Sequence, residues 1–117
     1  MISVALSGGA NKMDRELVQG AVRLMEQGEP CALATIIQVK GSAPREAGTQ
    51  MLVTAGGQTL GTIGGGCAEA AVRQRALLVL QKGEPEIYHL DLTADTAADE
   101  GMVCGGIMDV FIEPLGG

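Results

Sequence analysis

Tryptophan is absent from this sequence, and one tyrosine and one phenylalanine are its only large aromatic residues. A core built around aromatic rings is therefore excluded, and the interior must be assembled from Ala, Val, Leu, Ile and Met. No apolar run approaches the roughly 20 residues that span a bilayer. The N-terminus also lacks a basic segment followed by a long apolar one, so no secretory signal is read there. Cysteine is sparse and odd in number, three in all, and its spacing fits no disulfide framework, which suits a reducing compartment and a cytoplasmic protein. A four-ligand zinc site would need all three thiols and the single histidine, His89, at no recognisable spacing. Basic charge is in deficit. The formal net charge of −6 and pI near 4.6 repel phosphate backbones and anionic lipid, so the chain reads as binding neither nucleic acid nor a membrane surface.

What is present is one domain's worth of apolar chain. At 117 residues and 46% hydrophobic composition, there is material for one core and no room for a second full domain. Glycine is the exception to ordinary composition. Eighteen glycines lie beside apolar runs without a period, so they read as turns and backbone contact points and not as a linker or a collagen repeat.

The pattern along the chain predicts an α/β (α+β) domain with about five strands in a mixed sheet and two main helices. Ile2 to Leu6 reads as a short strand or a flexible lead-in, ended by Ser7-Gly8-Gly9. Asn11 is placed to cap a helix whose Leu17, Val18, Ala21, Leu24 and Met25 share one face, and Gly28 stops it. Cys31 to Val39 is apolar at both parities, the pattern of a strand covered on both faces. A loop from Lys40 to Gly48 precedes a predicted hairpin of Thr49–Thr54 and Thr59–Ile63 around Ala55-Gly56-Gly57-Gln58. Val72, Ala76, Leu77 and Leu80 mark a second helix from about Gly66 to Gly83. Glu86–Leu92 and Ile107–Glu113 read as the last strands, with a polar stretch at Thr93–Glu100 that has room for a helical turn.

Three segments can carry chemistry. In Gly61-Thr62-Ile63-Gly64-Gly65-Gly66-Cys67-Ala68-Glu69, a strand runs through glycines into a helix. Backbone approach is unhindered by Cβ atoms there, and the helix N-terminus favours an anion, phosphate above all. The Walker lysine is absent and the spacing is not G-x-G-x-x-G, so neither common nucleotide motif applies. A tight packing turn explains the same glycines, and Glu69 reads either as a dipole-complementing residue or as a ligand contact. In Met102-Val103-Cys104-Gly105-Gly106, Cys104 is either an accessible thiolate able to carry sulfur or meet a soft metal, or a small buried hydrophobe. Cys67 offers the same choice, whereas Cys31 in its apolar strand reads as core. In Gly41–Gly48, Pro44 stiffens a loop presenting Ser42, Arg45 and Glu46; Arg45 either forks onto a phosphate or pairs with Glu46 in solvent. The acidic stretch Asp91, Asp95, Asp99 and Glu100 reads either as a cation contact or, more cheaply, as solvated surface, and His89 carries no catalytic signature.

Taken in order, Gly41-Ser42-x-Pro44-Arg45-x-x-Gly48-x-x-Met51, Gly61-Thr62-Ile63-Gly64-Gly65-Gly66-Cys67-x-Glu69, Asp91-Leu92-Thr93 and Met102-x-Cys104-Gly105-Gly106 resemble the N-terminal domain of XdhC/CoxI-type xanthine dehydrogenase accessory factors. Phe111-Ile112-Glu113-Pro114 closes the match, which extends from about Asp14 onward. The resemblance implies a maturation factor more than an enzyme. Such a factor binds molybdenum cofactor (molybdopterin) as cargo, assists its sulfuration and delivers it to a molybdenum hydroxylase apo-enzyme. It implies cofactor contacts from Ser42, Arg45, Gly64, Gly65, Gly66, Cys67, Glu69, Cys104, Gly105 and Gly106, with Cys104 as the persulfide or metal-facing thiol. The implied associations are a cysteine desulfurase, a homo-oligomer and a separate Rossmann-type subunit, since longer members add a Rossmann-like C-terminal domain that this chain lacks. Persulfide sulfur transfer and a scaffolding role in molybdoenzyme assembly are the alternatives.

Overall fold

The fold was established from a computed structural model, which describes residues 12–41, 46–64, 66–92 and 106–115. The early segment Ile2–Leu6, the Asn11 cap and the polar stretch Thr93–Glu100 lie outside these residues.

Helix α1 (Lys12–Glu26) presents Leu17 and Ala21 to the interior, with Leu24 and Met25 half-buried beside them. It ends where its apolar spacing ends: Gly28 N–H donates to Met25 O and Glu29 N–H to Leu24 O, returning bonds to carbonyls that the helix itself leaves unpaired. Strand β1 (Cys31–Gly41) follows, then the hairpin of β2 (Gln50–Thr54) and β3 (Thr59–Gly61). The hairpin register is Val53 opposite Thr59 and Met51 opposite Gly61. β3 stops short of the expected Ile63 because Gly61 turns the chain at φ 82°, where a Cβ would lie 3.0 Å from Gln50 O. Ile63 is nevertheless fully buried. Helix α2 (Gly66–Lys82), β4 (Glu86–Asp91) and β5 (Gly106–Leu115) complete the domain.

The five strands form one sheet in the order β3-β2-β1-β5-β4. Every neighbouring pair is antiparallel, which corrects the expected mixed sheet. The reason lies in one connection. β3, α2 and β4 make a crossover between strands of the same direction, but the crossover spans the whole sheet, so those two strands sit at opposite edges and never pair.

One helix covers each face. On one side α2 buries Ala68, Val72, Ala76 and Val79 against Ala32, Ala34, Ile36, Met51, Val53, Met108, Val110 and Ile112. On the other, Leu17 and Ala21 of α1 meet Cys31, Leu33, Leu52 and Leu115. The both-face burial expected of Cys31–Val39 thus holds from Cys31 to Ala34 and at Ile36. Beyond it the strand bulges: Ile36 stands opposite Val110 and Gln38 opposite Asp109, leaving Ile37 outside the ladder and 46% exposed. Gln50 is the one buried polar side chain among the described residues, and its Nε2 donates to Thr35 Oγ1 across the sheet. At the opposite end, Arg75 lies 5.4 Å from the centre of the Tyr88 ring and donates to Glu86, tying α2 to β4.

Candidate functional site

Alternating strand directions decide where the glycine motifs meet. β1 and β4 run toward one end of the sheet, β3 finishes there at Gly61, and β5 begins there at Gly106. Gly41 stands directly opposite Gly106, and Leu92 N–H donates to Gly106 O at 2.8 Å. The loop after β1 returns to the sheet through Gly48 N–H to Ile36 O at 2.6 Å and Ile36 N–H to Thr49 O at 2.9 Å. α2 starts at the same end, directly after the Gly61–Gly64 turn. All the segments singled out in the sequence therefore leave or enter the sheet at this one end, although they are spread over more than sixty positions of chain.

The turn into α2 is the part seen in atomic detail. The Thr62 hydroxyl donates to Glu69 Oε1 at 2.7 Å and accepts the Gly64 N–H at 3.1 Å. One hydroxyl thus joins the turn to the first turn of the helix, where a carboxylate complements the positive end of the dipole. Two consequences bear on an anion. The Gly64 amide is already satisfied within the protein, and Glu69 places negative charge at the helix start. First-turn amides have no carbonyl partner within their own helix, and this is the end of α2 that its dipole makes favourable to an anion.

Of the expected site residues, Gly64, Gly66, Cys67, Glu69 and Gly106 are described and share this end of the sheet. Ser42, Arg45, Gly65, Cys104 and Gly105 lie outside the described residues; their chain neighbours Gly41, Glu46, Gly64, Gly66 and Gly106 are all at the same end. Cys67 is half-buried in the first turn of α2, whereas Cys31 is fully buried and its thiol pKa is pushed up by desolvation. Among the described residues no group of three or more His, Cys, Asp or Glu could hold a metal ion. Sequence reasoning passed over Thr62, which lay inside a motif but counted only as a spacer. Its placement before glycine and seven residues ahead of a helix-starting Glu was the available signal.

Comparison with known proteins decides the lineage. The profile of the XdhC and CoxI family matches residues 24–91, more than half of the chain. The chain belongs to the XdhC and CoxI family. Over 96 residues it is 43% identical to Uncharacterized protein YqeB of Escherichia coli K12, covering 82% of this chain and 18% of that one. It is 37% identical over 94 residues to a Probable xanthine dehydrogenase subunit of Bacillus subtilis 168, covering 79% and 28%. A 35% match over 69 residues, 59% of this chain and 22% of the relative, is to the Molybdenum cofactor insertion chaperone PaoD of Escherichia coli K12. The fold is that of the corresponding part of a xanthine dehydrogenase crystal structure from Bacillus halodurans, with a TM-score of 0.66 at 29% identity over 83% of this chain and 30% of that one. This XdhC/CoxI chain thus spans between about a fifth and a third of the length of these relatives. No described helix is long and apolar enough to cross a membrane.

Proposed function

We propose that this chain is a molybdenum-cofactor maturation module that receives the cofactor as cargo, holds it while its sulfido ligand is installed and passes it to a molybdenum hydroxylase. The observation that carries this reading is the convergence at one sheet end of the Gly41 loop, the Gly61–Cys67 turn, the Asp91-Leu92 strand end and the Gly106 strand start. The names of two relatives, a molybdenum cofactor insertion chaperone and a xanthine dehydrogenase subunit, point to the same cargo.

This end, together with the loops that adjoin it in sequence, suits the group's chemistry in two respects. A pterin phosphate is matched by the first-turn amides of α2 and by Arg45, and a dithiolene-bound soft metal by a thiol, Cys104 or Cys67. Glu69 opposes an anion there, so the phosphate is read as lying on the side of the turn away from the Thr62–Glu69 bond. Retention of the cofactor by purified protein on a desalting column, read as bound molybdenum, tests the proposal. Wild type should retain it and Cys104→Ala should lose most of it; a wild type that retains none overturns the reading.

A second reading rests on two cysteines, Cys67 at the start of α2 and Cys104, two positions before β5 in the sequence. Either thiolate would accept one sulfur atom from the persulfide of a cysteine desulfurase, giving a protein persulfide and returning the desulfurase thiol. Mass spectrometry after incubation with a desulfurase and free cysteine should show one added sulfur on one of these residues, and an unmodified protein removes the reading. Association into a homo-oligomer belongs to the same proposal and is read from sedimentation velocity.

A further inference from the structure

The sheet face covered by α1 is covered only in part. α1 packs on β2, β3 and the start of β1, so among the described residues the same face of β5, β4 and the far half of β1 is open. In that open area lies a pocket of about 70 Å³ lined by Gln38, Lys40, His89, Ile107 and Asp109, drawn from three adjacent strands. None of these residues belongs to the glycine-turn site. Met108 and Leu90, their neighbours in sequence, point to the α2 core, so the pocket lies on the opposite face of the sheet from α2.

Its polar groups are built by register. His89 and Asp109 are partners in the β4–β5 ladder, and Nδ1 of the imidazole meets Asp109 Oδ1 at 2.6 Å. That contact uses Nδ1 and leaves Nε2 as the nitrogen able to meet a ligand. On the other side of Asp109 stands Gln38, and the bulge in β1 puts it there: without the extra residue, Ile37 would face Asp109. Bulges re-aim side chains in this way beside binding sites. Lys40, opposite Ile107, supplies a fixed positive charge on a chain whose formal net charge is −6.

We propose that this pocket is a binding site for a small tetrahedral oxyanion. Lys40 Nζ, the Gln38 amide and His89 Nε2–H are its donors. Asp109 accepts from Nδ1–H, and when the ring is also protonated at Nε2 both nitrogens donate. With His89 protonated, the charges of Lys40, His89 and Asp109 sum to one positive charge; with it neutral they cancel. Asp91, two residues from His89 on the same face of β4, and Glu113, four residues from Asp109 on the same face of β5, are the other carboxylates of the described strands on this face. Binding therefore couples to protonation of His89 and strengthens as pH falls. The proposal is independent of cofactor binding at the glycine turn and stands or falls on a different residue set.

Sulfate is the probe, because its charge is constant over the range in which histidine titrates. His89 is the sole histidine, so its ring resonances report the site without assignment ambiguity. At constant ionic strength set with chloride, sulfate should raise the His89 titration midpoint, and affinity at pH 6 should exceed that at pH 8 by about three- to tenfold. Lys40→Ala should weaken binding about tenfold while the backbone amide spectrum away from the pocket stays in place; should that variant not fold, Gln38→Ala at an exposed position replaces it. A midpoint that sulfate does not move overturns the proposal. So does a midpoint that moves equally in wild type and in the folded variant, which would show a diffuse ion atmosphere and not a site.

Discussion

The Thr62 hydroxyl donates to Glu69 Oε1 at 2.7 Å while accepting the Gly64 N–H, so a single side chain closes the turn that leads into α2. The bond is partly buried and charge-assisted, placing it above the usual neutral hydrogen bond in strength. Thr62→Val and Glu69→Ala should each destabilise the domain by about 1–2 kcal/mol in urea unfolding, with a coupling of about 1 kcal/mol in the double mutant. Additive losses would show that the two residues act separately.

Adjacent isoleucines of β1 meet opposite fates at the bulge. Ile36 is fully buried among Val72, Met108 and Val110, while Ile37 is 46% exposed. Ile36→Ala should cost about 2–5 kcal/mol through lost burial and the cavity left behind. Ile37→Ala should change stability by no more than about 0.5 kcal/mol. Thermal or urea denaturation of the two variants checks which isoleucine faces the α2 core; the bulge changes the faces only from Gln38 onward.

The described cysteines should differ in reactivity. Cys31 is fully buried and burial raises its thiol pKa, whereas Cys67 is half-buried at the start of α2. Brief alkylation of native protein followed by peptide mapping should label Cys67 well before Cys31. Because the folded state holds the Cys31 proton more tightly than the unfolded chain, its contribution to stability is whole below the ordinary thiol value of 9.0 and declines as pH rises through the higher folded value. Cys31→Ala should therefore flatten the alkaline loss of stability, read from unfolding midpoints above pH 9.

Glu113, on β5 opposite Leu33, has its carboxyl pKa raised by desolvation. The protonated form is the one that folding favours, so stability from this group is present below the ordinary value of 4.5 and lost as pH rises through the folded value. Glu113→Gln should accordingly be more stable than wild type at pH 7, with the gap closing toward pH 4. A wild type that is the more stable at neutral pH would show that Glu113 has a compensating partner.

Local pattern was enough to place the elements. Leu17, Ala21, Leu24 and Met25 at helical spacing, the two-sided apolar run from Cys31, and glycines at 28 and 83 marked helix, strand and stops, because propensity and hydrophobic period act over a few residues. The Gly61–Cys67 turn was legible for the same reason. Its inner bonding was not: the sequence offers Thr62, Gly64 and Glu69 as neighbours, and only the folded turn shows the hydroxyl consuming the Gly64 amide.

Sequence alone thus determined which segments become helices and strands, where glycine breaks them and which residues are chemically able to meet an anion or a metal. Tertiary structure alone decided strand order, the antiparallel sense of every pair and the gathering of the glycine motifs at one end. It also decided that His89 meets Asp109 beside Gln38 and Lys40. These are outcomes of long-range pairing, and a one-residue slip in register would turn every side chain of a strand to the other face. The bulge at Ile37 is such a slip, confined to one position, and it separates the apolar first half of β1 from the polar second half that borders the open pocket.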